Sequence, residues 1–235
     1  MATQLHEPAP TRNPVIEFVG PAGAGKSTIL AIVASMLNDP RRVEPAAGRA
    51  RGQTARLALR HVHDWGPAAA AVVRRDPRTS RELLRHLIRV RTFAAELPRL
   101  RASVHTAVLL DEGPVLSLAQ LSRAQELAAN PALERYLAAS LALWGAAFDL
   151  IIHVDAPDAV LARRIHERSK SHRMKGRSDI EVRGFLGWYR RHYDAVLRSL
   201  QSDGVRVVHL DSSADSADVL AARVVALVSG GAHAP

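Results

Sequence analysis

Residues 20–27 read Gly20-Pro21-Ala22-Gly23-Ala24-Gly25-Lys26-Ser27, a full match to G-x-x-x-x-G-K-[ST]. Gly and Lys are scarce enough in the chain that chance would produce such a match about once in a thousand. The flanks agree with it. Val15 to Val19 is a short apolar run, read as a buried strand although Glu17 lies inside it. From Ser27 to Leu37, the residues Ile29, Leu30, Ile32, Val33, Met36 and Leu37 recur at helical spacing, and Asn38-Asp39-Pro40 stops the pattern. A strand, a glycine-rich turn and a helix in this order form a phosphate cradle. Small residues let successive backbone N–H groups curl around an anion, and the helix points its positive end at the same place. The stretch Gly20, Ala22, Gly23, Ala24, Gly25, Lys26, Ser27 and Thr28 is therefore the expected nucleotide site. Lys26 is expected to reach the β- and γ-phosphates and the Ser27 hydroxyl to ligate Mg²⁺. ATP and Mg²⁺ are the expected cofactors.

Outward from the loop, Thr106 to Leu110 is a second apolar strand, and it runs into Asp111-Glu112-Gly113-Pro114. An acid at the carboxyl end of such a strand lies where ligands collect in open α/β sheets. Asp111 is expected to hold the Mg²⁺ shell. Glu112 could share that task or meet a phosphate acceptor. Further strands are expected at Leu150 to Val154 and Val205 to Leu210, with helical patterns at 53–63, 66–75, 79–97, 115–128, 131–147, 158–168, 180–200 and 217–227. Strands alternating with helices predict a P-loop NTPase fold, a three-layer α/β/α sandwich around a central parallel sheet. One domain is expected over 14–228, with a helical acceptor-side insertion at 45–103, a flexible leader at 1–13 and a flexible tail at 229–235.

After the third strand, Arg163, Arg164, Arg168, Lys170, Arg173, Lys175 and Arg177 crowd together. The stretch 163–178 reads as an Arg-rich lid. Arg164 and Arg168 are four apart, which puts them on one face of a helix. Arginines that close over a moving phosphoryl group stabilise its spread negative charge.

The formal net charge of +9 is local. Between Pro45 and Ser103 stand thirteen Arg against Asp64, Asp76, Glu82 and Glu96, so the rest of the chain is neutral overall. Such a segment is either a solvated Arg-rich helical face or an anion-attracting surface. Aromatic residues make up only 4% of the chain and no RNP-like strand or zinc finger is present, which argues against a nucleic-acid partner. With no Cys, disulfides and thiol chemistry are excluded. The N-terminus carries no basic-then-apolar signal, and no run of about 20 apolar residues would span a membrane. A cytoplasmic protein with no membrane partner is expected. Trp65, Trp144 and Trp188 read as packing, and His61 and His63 as polar surface.

The loop, the Asp111 strand and the stretch Asp155-Ala156-Pro157-Asp158 through Arg168 together resemble the thymidylate kinase-like group of P-loop kinases, which includes nucleoside kinases. Trp188-Tyr189-Arg190-Arg191-His192-Tyr193 and Val205 to Asp211 follow in the family order. The resemblance implies a kinase that transfers the ATP γ-phosphate to a small-molecule acceptor, and it allows a homodimer. Val43-Glu44-Pro45 is similar to the Glu-Pro that ends the family's second strand, which implies Glu44 as acceptor ligand and general base. It also implies an acceptor-binding Arg near Arg89 or Arg91, and catalytic roles for Lys26, Asp111, Arg164 and Arg168. One departure stands out. The family has Asp-Arg or Glu-Arg-Ser after the second buried strand, whereas this chain has Asp111-Glu112-Gly113. An acid in place of the Arg repels an acceptor phosphate and favours a neutral or cationic acceptor such as a nucleoside, sugar or antibiotic hydroxyl. Two alternatives remain: a nucleoside monophosphate kinase whose phosphate site uses Arg81, Arg85 and Arg89, and a nucleotide-gated binding module whose basic surface meets a partner.

Overall fold

The computed structural model describes residues 13–37, 40–43, 56, 59–73, 77–104, 106–127, 129–168 and 172–230. Five strands form one sheet: β1 (Val15–Val19), β2 (Arg41–Val43), β3 (Val108–Asp111), β4 (Leu150–Asp155) and β5 (Arg206–Asp211). Their order is β2-β3-β1-β4-β5 and every pairing is parallel. Among the described residues the helices are α1 (Lys26–Met36), α2 (Val62–Val73), α3 (Pro77–Ala102), α4 (Pro114–Leu127), α5 (Pro131–Gly145), α6 (Asp158–Glu167), α7 (Asp179–Ser202) and α8 (Ala217–Gly230). The expected α/β/α sandwich with a central parallel sheet is the observed one.

Successive side chains of a strand point to opposite faces, and the central strand β1 shows what each face meets. Ile16 and Phe18 join Leu109, Ile152 and Val154 under α1, α6 and α8, through Ile29, Leu30, Leu161, Ile165, Leu220 and Val224. Val15 and Val19 join Val108, Leu110 and Ile151 on the other face, under α2 to α5 and most of α7. That face holds Phe93, Leu118, Trp144 and Tyr193, all essentially sealed from solvent. Such residues supply roughly 1.5–3 kcal/mol each on burial. Trp144 packs in this core as expected, while Trp65 and Trp188 pack on it partly buried. Helices α2 and α3, from the basic stretch, are thus part of one layer of the fold.

Three details differ from the sequence expectation. First, Arg41–Val43 is a strand paired to β3, outside the strands that the residue pattern alone predicts. Pairing supplies the backbone bonds that its polar composition does not advertise. Second, the expected break near Trp65 is absent. The helix α2 runs through it and carries Pro67 inside, while Ala68, Ala69 and Val72 bury into the core. Third, α3 continues past residue 97 to Ala102 across an exposed Pro98. In both helices packing outweighs the local cost of Pro.

Asn13, the last residue of the expected leader, is tied down. Its amide donates to the Arg101 and Val104 carbonyls at 3.1 and 2.7 Å. Residues 1–12, 44–55 and 231–235 lie outside the described residues, and with them most of the leader, most of the tail and the start of the insertion. No helix among the described residues is long and apolar enough to cross a membrane.

Candidate nucleotide and acceptor site

The strand order reverses about β1, so a crevice opens at the carboxyl ends of β1 and β3. The glycine-rich loop fills one side of it. Gly20 has φ +141°, and a Cβ built there would stand 1.9 Å from the Val154 carbonyl oxygen of β4. Only glycine lets the loop leave β1 this close to its neighbour. Gly25 caps α1 in the left-handed conformation at φ +86°. The Thr28 and Ile29 N–H groups bond its carbonyl at 3.1 and 3.0 Å, which starts the helix. No acidic side chain occupies the first turn of α1, so its positive end is left to an anion. Ser27 and Thr28 are exposed at that end.

Lys26 folds back over the loop. Its side chain is only 7% exposed, and the ammonium donates to the Pro21 carbonyl at 3.0 Å. A Glu112 carboxylate oxygen lies 3.9 Å away. Burial lowers the Lys26 pKa, and the nearby Glu112 and Asp111 charges oppose that shift. Asp111 ends β3 in register with Phe18 and is 7% exposed. Glu112 follows in the left-handed region at φ +53°, an uncommon place for a residue with a Cβ. Lys26, Ser27, Asp111 and Glu112 thus converge on one crevice. A cradle that a Cβ would block, an exposed hydroxyl and a carboxylate at the strand end are the donor set that a nucleoside triphosphate with Mg²⁺ requires.

The lid residues separate. The helix α6 stops at Glu167 and Arg168 is extended, so Arg164 and Arg168 do not share a helix face. Arg164 straps the loop to the segment after β5, donating to the Gly23 carbonyl at 3.3 Å and to the Ser212 hydroxyl and carbonyl at 2.9 Å each. Beside it lies a cavity of about 360 Å³ lined in part by Gly25, Ile29, Ser216 and Leu220. Arg168 lies close enough to Lys26 to help lower its pKa, and its carbonyl accepts from Lys175 at 2.7 Å.

The acceptor-side residues also divide. Arg89 stands over Phe93 at 5.6 Å and its charge reaches Glu17. Arg91, two residues on, lies over the Tyr136 ring of α5 at 5.3 Å. Arg81 and Arg85 are exposed. Glu44 lies outside the described residues. His61 and His63 flank Asp64 at 3.3 and 3.2 Å, and no group of three or more metal-ligating side chains occurs among the described residues.

Two residues carry more than their sequence positions suggest. Glu17 is sealed within the sheet, and its carboxylate accepts the Val115 N–H at 3.2 and 3.3 Å. Burial pushes its pKa up to about 8, against the pull of the Val115 N–H and the Arg89 charge. An acid at an inward position of a central strand signals this, because a buried carboxyl needs partners. Arg190 of α7 clamps the end of β4. It donates to both Asp155 oxygens at 2.7 and 3.1 Å and to the Ala156 carbonyl at 2.8 Å, and it also pairs with Asp158.

No protein-family model matches the chain, and no curated protein matches it. Solved structures do. The thymidylate kinase from Candida albicans, whose structure is described as revealing the origin of broad substrate specificity and a novel structural element, superposes with a TM-score of 0.57. The match covers 94% of this chain and 93% of that one at 12% identity. The chain shares the fold of that thymidylate kinase.

Proposed function

We propose that this chain is an ATP- and Mg²⁺-dependent kinase that transfers the γ-phosphate to a hydroxyl of a small-molecule acceptor. The convergence of Lys26, Ser27 and Asp111 at the carboxyl ends of β1 and β3 carries the reading. Loop amides and Lys26 hold the phosphates. Ser27 and Asp111 would hold Mg²⁺, which would offset the charge of the phosphates. Lys26 leaves the Pro21 carbonyl and Glu112 to do this, and the phosphate charge returns its pKa upward. Arg168 lies near Lys26 and suits the transferred group. The Arg164 cavity, with its flat guanidinium and the apolar Ile29 and Leu220, suits a nucleobase. Glu44 takes the acceptor proton.

Once Lys26 turns to phosphate, Glu112 becomes an uncompensated carboxylate at the crevice. This supports an acceptor that is neutral or cationic there: a nucleoside, sugar or antibiotic hydroxyl. A nucleoside monophosphate acceptor is the second reading, and the inward Arg89 favours it.

ADP release from MgATP against nucleosides, nucleoside monophosphates, aminoglycosides and sugars tests both, with Lys26→Ala as control. Acceptor-dependent ADP release that survives Lys26→Ala would overturn the kinase assignment. Turnover with monophosphates alone would select the second reading. Nucleotide binding with no turnover on any acceptor would leave a gated binding module.

A further inference from the structure

The Glu17 carboxyl sits in the middle of β1, facing the layer where Val15 and Val19 are ordinary core residues. A buried carboxyl is costly unless its oxygens are used. Both oxygens lie within hydrogen-bonding distance of the Val115 N–H, and the Gly113 backbone is a second partner. Val115 is the second residue of α4, so its N–H is one of the donors that a helix start leaves without an internal acceptor. Such a donor is usually met by a Ser, Thr, Asp or Asn just before the helix. Here that position is Gly113, which has no side chain to offer. A Cβ built on Gly113 would stand 3.0 Å from Glu17 Cδ and 3.0 Å from one of its oxygens. The Glu17 carboxyl therefore occupies the space of the missing cap.

This contact fixes the residue that follows Glu112, while β3 fixes Asp111 before it. Between the two anchors Glu112 is held at φ +53°. We propose that Glu17 is a positioning residue for the metal-bearing turn: by clamping the backbone at Gly113 and Val115 from the neighbouring strand, it sets the direction in which Asp111 presents its carboxylate. The inference rests on the reading of Asp111 as a Mg²⁺ ligand. Glu17 itself touches neither nucleotide nor metal.

The clamp predicts a loss confined to metal. A fluorescent N-methylanthraniloyl ATP titrated in Mg²⁺ and in EDTA separates metal-dependent binding from loop binding. Glu17→Leu should lower the affinity gained from Mg²⁺ by about ten- to a hundredfold, the range for residues that orient metal ligands. Affinity in EDTA should stay within about twofold, because the Gly20–Thr28 loop is untouched. Gly113→Ala should reproduce the loss from the other side of the contact, and it serves if Glu17→Leu does not fold. Glu17→Gln keeps an acceptor oxygen and should restore most of the gain. Amide exchange at Val115 should speed up in Glu17→Leu and Gly113→Ala and stay slow in Glu17→Gln. A folded Glu17→Leu that keeps the full Mg²⁺ gain, or loses EDTA affinity equally, overturns the proposal. Asp111→Asn distinguishes the two levels. If it too keeps the gain, the metal reading fails and takes the proposal with it. If it abolishes the gain while Glu17→Leu does not, the proposal alone fails.

Discussion

Lys26 Nζ lies 3.9 Å from a Glu112 carboxylate oxygen while donating to the Pro21 carbonyl at 3.0 Å. The loop lysine is thus held by its own loop and by the residue after the strand-end acid. Burial lowers the pKa of this ammonium, and the two acids oppose that shift. On the proposed function, a phosphate at Lys26 would displace Glu112 and then lie beside it.

Glu112→Gln should therefore tighten nucleotide binding. Glu112 is about half exposed, so screening limits the effect. A gain of about 0.5–1 kcal/mol, a few-fold in dissociation constant, is expected. Titration of ATP in EDTA isolates the effect from Mg²⁺. Weaker binding in the variant would mean that Glu112 organises Lys26 rather than competing for it.

Gly20→Ala should fail at the level of the fold. Its Cβ would stand 1.9 Å from the Val154 carbonyl, and its φ of +141° suits glycine. Either β1 and β4 part or the loop is rebuilt. A destabilisation of about 3 kcal/mol or more is expected, lowering the melting temperature by about 6–12 °C in a chain of this size. Gly25→Ala meets no neighbour within 4 Å, although its left-handed φ remains strained. It should cost less, about 1–2 kcal/mol. Thermal unfolding of the two variants side by side checks the order.

The Glu17 contribution to stability should be lost as pH rises from about 5 to 8, and the net fall should show above about 6.5, where the opposing His86 limb has ended. Glu17 has its pKa raised from 4.5 to about 8, first by burial, with Glu112 adding to the rise. Below 4.5 the group is protonated in folded and unfolded chains alike and its contribution is fully present. Between 4.5 and 8 the unfolded chain binds fewer protons than the folded one, so that contribution is progressively lost, by several kcal/mol in all. The opposite limb belongs to His86, lowered from 6.5 to about 4 by burial and by the Arg89 and Arg85 charges, which loses stability as pH falls through that window. Urea unfolding at pH 6.5 and 8.5 should show wild type losing more than Glu17→Gln. Parallel losses would show that Glu17 is not the source.

The phosphate loop was legible because its demands are local. Gly20 and Gly25 answer backbone conformations that the eight-residue motif itself marks, although the close approach at Gly20 is to Val154 of β4. The place of Asp111 at a strand end was legible because an apolar run stops there at an acid and a Gly-Pro turn. Glu17 gives a sequence signal, an acid inside an apolar strand, but its partners Gly113 and Val115 lie about a hundred positions away and only the sheet brings them together. Arg164 and Arg168 read as one helix face, yet helix α6 ends between them, at a point that periodicity does not mark. Likewise Trp65-Gly66-Pro67 carries the local signs of a break, and core packing of Ala68, Ala69 and Val72 carries the helix through it.

Arg164 offers a last test, because its bonds tie the loop to the far edge of the sheet. It holds the Gly23 carbonyl and both oxygens of Ser212, and it borders the cavity of about 360 Å³ beside the loop. If that cavity takes the base of the donor nucleotide, Arg164→Met removes the guanidinium face and the strap while keeping much of the volume. Losing a stacked cation and a charge-assisted bond should weaken ATP binding by about 1.5–3 kcal/mol, roughly ten- to a hundredfold or somewhat more. Inorganic triphosphate, which has no base, should lose far less. Competition of ATP and triphosphate for the same site in wild type and variant measures the difference. An equal loss for both would place Arg164 over the phosphates, as the four-residue spacing from Arg168 first suggests. No loss for either would leave Arg164 a strap between Gly23 and Ser212, and the fall in melting temperature would then be its whole effect.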